Sequence, residues 1–305
     1  MMNFLRVLVF AAALFASPAF AATCFWVGGT GTWSTSNTAS WSSSSGGAGG
    51  TCAGTGGVPK QAADTATFDG SSGAGTVTVD STMNGVTLTS IAAGAFTGTL
   101  DFSANNPSMT LTFSFVASGA GVHTINLGSG TFTFTSTTGG LWDAGTSSGN
   151  LTLSAGSSTI VYSSNANGAR AFNGGGKTYG TLTISTPGSF TTNPAVTVSG
   201  NNTFATLNVN PSVWIRLGSG STTTITNAFN WTGTSSSAAI MLDGGTGGTT
   251  TISSANNGTI TWGVVSGVAF TGGGTFTCTS CLDMKANSGI TITAPSGGGG
   301  RIIGG

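Results

Sequence analysis

Short runs in which apolar and polar residues alternate recur along most of the chain and predict β-strands. Two of the clearest are Thr76–Val79 and Thr131–Phe134. Residues two apart on a strand lie on the same side, so each run places its apolar side chains on one face and its threonines on the other. Further runs lie at residues 86–89, 110–113, 151–153, 181–184, 196–198, 206–209, 222–225, 259–262, 275–277 and 290–293.

The spacing of these runs predicts an all-β fold and leaves two architectures open. Several of the successive runs lie about 8 to 15 residues apart, as in a β-sandwich or in the rungs of a β-solenoid. The rhythm continues without a helical pattern, and Thr, Ser and Asn can hydrogen-bond when like residues stack on neighbouring strands. We therefore expect a parallel β-helix, with a β-sandwich as the alternative.

Composition divides the chain into four segments. Residues 1–21 resemble a secretory signal peptide, because Arg6 precedes an apolar run and residues 19–21 form a small-x-small cleavage site. Residues 22–64 contain Trp26, Trp33 and Trp41 and are expected to cap the N-terminal end of the solenoid. The solenoid itself is predicted at 65–294, followed by a Gly-rich tail at 295–305. These features predict a secreted protein.

Charge excludes several classes of partner. Gly, Ser and Thr make up nearly half of the 305 residues, while seven Asp balance seven Lys and Arg, and Glu is absent. Nucleic-acid binding needs a basic face to neutralise phosphates, and polybasic membrane targeting needs the same, so neither partner is expected. Past the signal segment no stretch is apolar enough for membrane insertion. The expected partner is a cell-surface glycan or another surface ligand, and self-association into a homo-oligomer is left open.

Four cysteines in an exported chain favour disulfides. A bridge between Cys24 and Cys52 would staple the Trp-rich segment. Cys278 and Cys281 have C-x-x-C spacing, which also occurs in redox and zinc sites. A redox site would need a helix N-terminus, whereas this motif follows a strand-like run, and a four-cysteine zinc site would need both pairs to meet. Structural bridges or free thiols are favoured.

The sequence contains few residues in the arrangements that catalysis needs. Polysaccharide hydrolysis needs two carboxyl groups across the scissile bond, but the aspartates are scattered singly and have the turn positions that Asp favours. They are Asp64, Asp69, Asp80, Asp101, Asp143, Asp243 and Asp283. The one histidine, His123, lies in a strand-like run without a nucleophile motif nearby. We expect no catalytic residue, no metal ligand and no cofactor, so the protein is not predicted to be an enzyme.

Two further features could bind a ligand. Trp142, Trp214 and Trp231 are candidate surface-binding residues that could stack on sugars, although Trp in such runs is more often part of the core. Repeated T-x-T units, such as Thr131 with Thr133 and Thr181 with Thr183, could order water and bind ice. Because the runs are unequally spaced, we do not expect these threonines to form a regular array.

The N-terminal segment carries a recognisable order of motifs. W-x-G-G-x-G-x-W at 26–33 is followed by Trp41, Val58-Pro59, D-T-A-x-F-D at 64–69 and T-V-T-V-D at 76–80, and similar texture returns at 174–184, 202–207 and 224–234. This order resembles the β-helical passengers of autotransporter-type surface proteins. It also resembles exported Gly/Thr-rich proteins of bacteriophage and prophage structural regions, which the later segments match better. The resemblance implies a β-helical surface or virion-associated protein, such as a fibre or an adhesin.

These observations together predict an extracellular structural or adhesive β-solenoid on a virion, as in a tail fibre, or on a cell envelope. It is expected to bind a host or surface ligand. A glycan-degrading β-helix enzyme and an ice-binding protein are the alternatives. Several aspartates gathered in one groove would favour the enzyme, and an evenly spaced threonine face would favour ice binding.

Overall fold

The strands of this chain stack into a parallel β-helix, as the alternating runs predict, rather than into a β-sandwich. The computed structural model describes residues 21–137, 139–145, 148–164, 170–185, 194–245, 249–284 and 286–296. The predicted signal segment lies outside the described residues, apart from residue 21. Most of the predicted Gly-rich tail also lies outside them.

The strands are short and are numbered in chain order. The first half contains β1 Thr23–Trp26, β2 Gly31–Trp33, β3 Trp41–Ser42, β4 Thr65–Thr67, β5 Thr76–Val79, β6 Thr87–Ala92, β7 Thr99–Asp101, β8 Met109–Val116, β9 His123–Asn126, β10 Thr131–Phe134, β11 Leu141–Asp143, β12 Leu151–Ser154, β13 Thr159–Tyr162 and β14 Ala171–Asn173. The second half contains β15 Thr178–Ile184, β16 Val196–Ser199, β17 Thr203–Val209, β18 Trp214–Leu217, β19 Thr222–Ile225, β20 Phe229–Thr232, β21 Ile240–Asp243, β22 Thr250–Ser253, β23 Gly258–Thr261, β24 Gly263–Ser266, β25 Val268–Thr271, β26 Phe276–Thr279, β27 Leu282–Asp283 and β28 Thr291–Thr293.

Three columns of stacked strands form the sides of the helix. The threonine face contains the N-terminal parts of β6 and β8, then β10, β13, the C-terminal parts of β15 and β17, and finally β20, β23, β26 and β28. The second face contains β1, β4, the C-terminal parts of β6 and β8, β11, β14, β16, β18, β21, β24 and β27. The third face contains β2, β5, β7, β9 and β12, then the N-terminal parts of β15 and β17, β19, β22 and β25.

The corners between the faces differ in construction. β6, β8, β15 and β17 each turn a corner without ending, and the register between β6 and β8 shifts between Leu88 and Ser90. Elsewhere the corners are turns, some of which contain short 3-10 helices. These helices span Ser45–Gly47, Thr55–Gly57, Gly70–Ser72, Ser81–Met83, Ser148–Asn150 and Ser236–Ala238. The length of a rung is therefore set at its corners, while the strands stay in register.

The inward side chains form one continuous core along the helix axis. On the second face, aromatic rings stack from rung to rung: Phe115 and Trp142 lie 4.8 Å apart, and Phe172 lies 6.1 Å beyond Trp142, between ring centroids. Such ring pairs add stability beyond the area that they bury. Each rung therefore packs on its neighbours more than on anything within itself, as in other solenoids.

The N-terminal end of this core is covered by tryptophans. Trp26, Trp33 and Trp41 surround the ring of Phe68 at centroid distances of 6.2, 5.6 and 5.5 Å. β3 pairs antiparallel with β1, which is the one antiparallel strand pairing among the described residues. The alternating runs did not predict β1 to β3, which are short and lack a clear alternation of apolar and polar residues. An open first rung would otherwise expose unpaired backbone groups.

Candidate binding face

Two rows of threonines run along the threonine face in register. In the first half of the face, one row aligns Thr131, Thr159, Thr181 and Thr206 on four successive rungs. The second row aligns Thr133, Val161, Thr183 and Asn208. We call these eight residues the N-terminal grid. The expectation that unequal spacing would prevent a regular array is therefore wrong, because the turns absorb the differences in length.

The same two rows continue at the other end of the face. One row aligns Asn230, Thr259, Thr277 and Thr291, and the other aligns Thr232, Thr261, Thr279 and Thr293. We call these residues the C-terminal grid. β17 and β20 are adjacent without forming a ladder, and the Trp231 indole donates to the Leu207 carbonyl across the join at 2.7 Å. The two grids thus lie on one side of the same stack.

The local sequence explains why these side chains point outward. In β26 the buried residues are Phe276 and Cys278, so Thr277 and Thr279 occupy the alternate, outward positions. Threonine suits them because its branched side chain has few rotamers and packs well on a pleated surface. Neighbouring side chains are linked across rungs as well: the Thr259 hydroxyl donates to the Asn230 side-chain oxygen at 2.8 Å.

The second face has the same backbone but a mixed surface. One outward row aligns Trp214, Met241, Val264 and Leu282, and the row beside it aligns Arg216, Asp243 and Ser266. Arg216 donates to Asp243 at 2.8 Å and lies 5.2 Å above the Trp214 ring. β-propensity alone would have favoured threonine on both faces. The second face therefore lacks such rows at these rungs, although its backbone is the same.

The third face lies between these extremes. One of its rows aligns Thr76, Thr99, Thr124 and Thr152. The row beside it aligns Thr78, Asp101, Asn126 and Ser154, so it mixes a carboxylate and an amide with hydroxyls. This face provides a natural comparison for substitutions in the grids.

The tryptophans predicted as surface-binding residues do not form exposed stacking platforms. Trp142 is fully buried and Trp231 is 1% exposed. Trp214 is on the outward side of its strand, but Arg216 lies over its ring and leaves it 9% exposed. The general tendency of Trp to join the core applies to the first two residues.

All four predicted disulfide cysteines are paired. Cys24 bonds Cys52 with 5.2 Å between their Cα atoms, and Cys278 bonds Cys281 with 5.7 Å. All four are buried. The prediction of disulfides is thus confirmed, and free thiols are absent from the described residues.

The aspartates are committed to turns. In five of them the carboxylate accepts the backbone N–H two residues later, which is the Asx-turn that Asp favours. These are Asp69, Asp80, Asp101, Asp143 and Asp243. The hydrogen bond from the Thr82 backbone lowers the pKa of Asp80 below its ordinary value. Asp64 accepts from the Lys60 backbone, and Asp283 accepts from Asn287.

His123 is also accounted for by the fold. It is 3% exposed, and its Nδ1 lies 2.7 Å from the Gly121 carbonyl. Within the described part of the chain, no three His, Cys, Asp or Glu side chains cluster as a metal site would require. Nor does that part contain a helix long and apolar enough to cross a membrane.

A buried hydroxyl network ties the second face to the threonine face through Tyr162 and to the third face through Tyr179. The Tyr162 hydroxyl accepts the Trp142 backbone N–H at 3.1 Å and donates to the Ala171 carbonyl at 2.7 Å. The Tyr179 hydroxyl accepts the Trp142 indole N–H at 3.0 Å and donates to the Gly174 carbonyl at 2.8 Å. Burial raises the pKa of both tyrosines above the ordinary value of 10.0.

Comparison with known proteins adds no relative. No family model, no curated protein and no solved structure matches this chain. The function of this chain is therefore inferred from its surface, on which the grids are the most regular feature. The T-x-T units of the grids are visible in the sequence. Aligning the outward residues of successive runs, whatever the number of residues between runs, could have revealed the rows.

Proposed function

We propose that this chain is an extracellular structural or adhesive surface module, part of a virion or a cell envelope, that binds a host or surface ligand through its threonine face. The observation that carries the proposal is the pair of grids, which present uncharged polar side chains in register along one side of an elongated stack. A repetitive face on a stiff scaffold suits contact with an extended surface better than enclosure of a small molecule.

Two other features support an external location. The chain contains two disulfides, and disulfides form and persist mainly in oxidising compartments. The N-terminal motif order resembles β-helical surface and virion-associated proteins, which is consistent with the same setting. Self-association remains compatible with this proposal.

The glycan-degrading alternative receives less support. Glycoside hydrolysis needs two carboxyl groups about 5 to 10 Å apart across the bond. The described aspartates instead accept hydrogen bonds at separate turns, and Asp243 also pairs with Arg216. The shape and chemistry of the grids favour binding over cleavage.

Fractionation of a culture that produces the protein tests the proposal. Purified virions, washed envelopes and cleared medium would each be analysed by quantitative mass spectrometry. We expect the protein in the virion or envelope fraction. Recovery from the cleared medium alone would contradict a role as a surface module.

A further inference from the structure

The grids have the dimensions of a two-dimensional lattice. Parallel strands lie about 4.8 Å apart, and outward residues two apart on a strand are separated by about 6.5 Å. Four successive rungs keep this arrangement in each grid. A ligand that fits many of these positions at once must itself repeat in two directions.

The hydroxyls are positioned before any ligand arrives. The rotamers of threonine are restricted, and the strands beneath are held by backbone ladders and the buried core. The C-terminal grid is also accessible, since Asn230, Thr232, Thr259, Thr279, Thr291 and Thr293 are exposed. Binding would therefore cost little conformational entropy, which favours a rigid ligand.

The chemistry of the grids points to an uncharged ligand. No Asp, Lys or Arg occurs in either grid. A hydroxyl both donates and accepts hydrogen bonds, and each threonine adds a methyl group beside it. Water in a crystal likewise donates and accepts in equal measure, so such a surface can continue its lattice.

Sugar rings fit less well. Recognition of a sugar ring commonly uses an aromatic side chain with an exposed apolar face. Trp142 and Trp231 are buried, and Trp231 lies beneath the C-terminal grid with its indole donating to the Leu207 carbonyl. The grids offer hydroxyls without a stacking platform.

A second, independent observation is the contrast between faces. The rungs differ in length, yet the two rows keep hydroxyl or amide side chains at every grid position except Val161. The second face shares the same rungs and presents Trp214, Met241, Arg216 and Asp243 outward. Fold and composition are common to these two faces, so neither explains why the second face lacks the paired rows of the threonine face.

From this geometry we infer that the surface ligand of the threonine face is crystalline water, and that the protein binds ice. The inference rests on the proposed function, because it names the ligand of the same face. The occupant is the outer layer of an ice crystal, held by the hydroxyl rows and by water ordered between their methyl groups.

The test uses the full mature chain with both disulfides. We would measure thermal hysteresis, together with the fraction of protein taken up by a slowly growing ice hemisphere. We expect measurable hysteresis and uptake into ice above that of serum albumin. Exclusion from ice together with an absence of hysteresis would overturn the inference.

A matched pair of variants tests which face is responsible. Thr277→Tyr places a bulky, neutral, strand-compatible side chain inside the C-terminal grid, and Thr124→Tyr makes the same change on the third face. We expect Thr277→Tyr to lower hysteresis about tenfold, as loss of one well-fitted contact would, and Thr124→Tyr to leave it nearly unchanged. Equal effects of the two changes would refute the assignment to this face. Thr277→Val, which preserves the shape, shows whether the hydroxyl itself is needed, and circular dichroism checks folding.

Three further outcomes separate this inference from the proposed function. Adsorption to crystalline cellulose or chitin, combined with exclusion from ice, would overturn the inference and identify a polysaccharide as the ligand. Recovery in virions or envelopes without ice activity would leave the surface module standing and remove its ice ligand. Ice activity of a protein found only in the medium would support ice as the ligand and contradict the role as a surface module.

Discussion

The threonine face and the second face are built on the same rungs, yet they present different chemistry to the solvent. Beneath both lies one core, in which Trp142 belongs to the second face and Trp231 to the threonine face. Outside, the threonine face repeats hydroxyls, while the second face combines apolar side chains with one ion pair. The comparison shows that, in this solenoid, the inward residues that stabilise the fold are separate from the outward residues that face the solvent. Four predictions follow from this separation, beginning with the largest expected effect.

Trp231→Ala should destabilise the rungs beneath the C-terminal grid. Truncating a buried Trp costs about 3–5 kcal/mol, and the Leu207 carbonyl also loses its donor. Because each rung contacts mainly its neighbours, we expect hydrogen exchange to accelerate around β20, β23 and β26 while β10 and β13 stay protected. Trp142→Ala is the matched control and should show the opposite distribution. A uniform loss of protection in both variants would contradict the rung-by-rung picture.

Tyr162→Phe should weaken the join between the two faces. Its hydroxyl satisfies the Trp142 N–H and the Ala171 carbonyl, and leaving a buried polar group unpaired costs about 1–3 kcal/mol. Urea denaturation monitored by tryptophan fluorescence would measure the loss. Phe134→Leu, a nearby change without a hydroxyl, is the control for packing. An unchanged free energy of unfolding in Tyr162→Phe would contradict the structural role of this network.

Alkaline pH should destabilise the same buried hydroxyl network. The folded state raises the pKa of Tyr162 and Tyr179, so their neutral forms are favoured by folding. Their stabilising contribution is complete below the unfolded pKa of about 10 and declines as pH rises above it, by up to about 1.4 kcal/mol per tyrosine per pH unit. Denaturation midpoints between pH 8 and pH 11, each value approximate, would show the decline. It should be shallower in Tyr179→Phe; an identical slope in that variant would argue against this cause.

Arg216→Ala on the second face should have the smallest effect on stability. Its side chain is 38% exposed, so solvent screens the pair with Asp243 and its removal is expected to cost about 0–1 kcal/mol. Thermal melting would measure the change, and Arg216→Lys would show how much depends on the planar guanidinium above Trp214. A loss of stability comparable to that of Trp231→Ala would mean that the outward side chains of the second face contribute substantially to folding.

The strands with alternating residues could be predicted from the sequence. Runs such as Thr76–Val79, Thr131–Phe134 and Thr222–Ile225 became β5, β10 and β19 with the same bounds. The turn roles of the aspartates followed from the same local chemistry, because an Asx-turn involves only neighbouring residues. Local patterns were enough wherever the determining contacts were local.

Shorter strands and the binding face could not be predicted in the same way. Leu141–Asp143 and Ala171–Asn173 are three residues long, too short for alternation to be distinguished from chance. The candidate tryptophans illustrate a second difficulty, since residue type does not reveal which side of a strand faces the core. Which runs share a face depends on where the corners lie, and the corners cannot be located without the fold.

The corners have a consequence for changing this protein. The turn between Thr232 and Ile240 joins β20 to β21 while both strands keep their ladders on either side. A peptide inserted there would lengthen one turn and leave the hydroxyl rows in place. A peptide grafted into this turn would therefore be displayed at a fixed position beside the C-terminal grid.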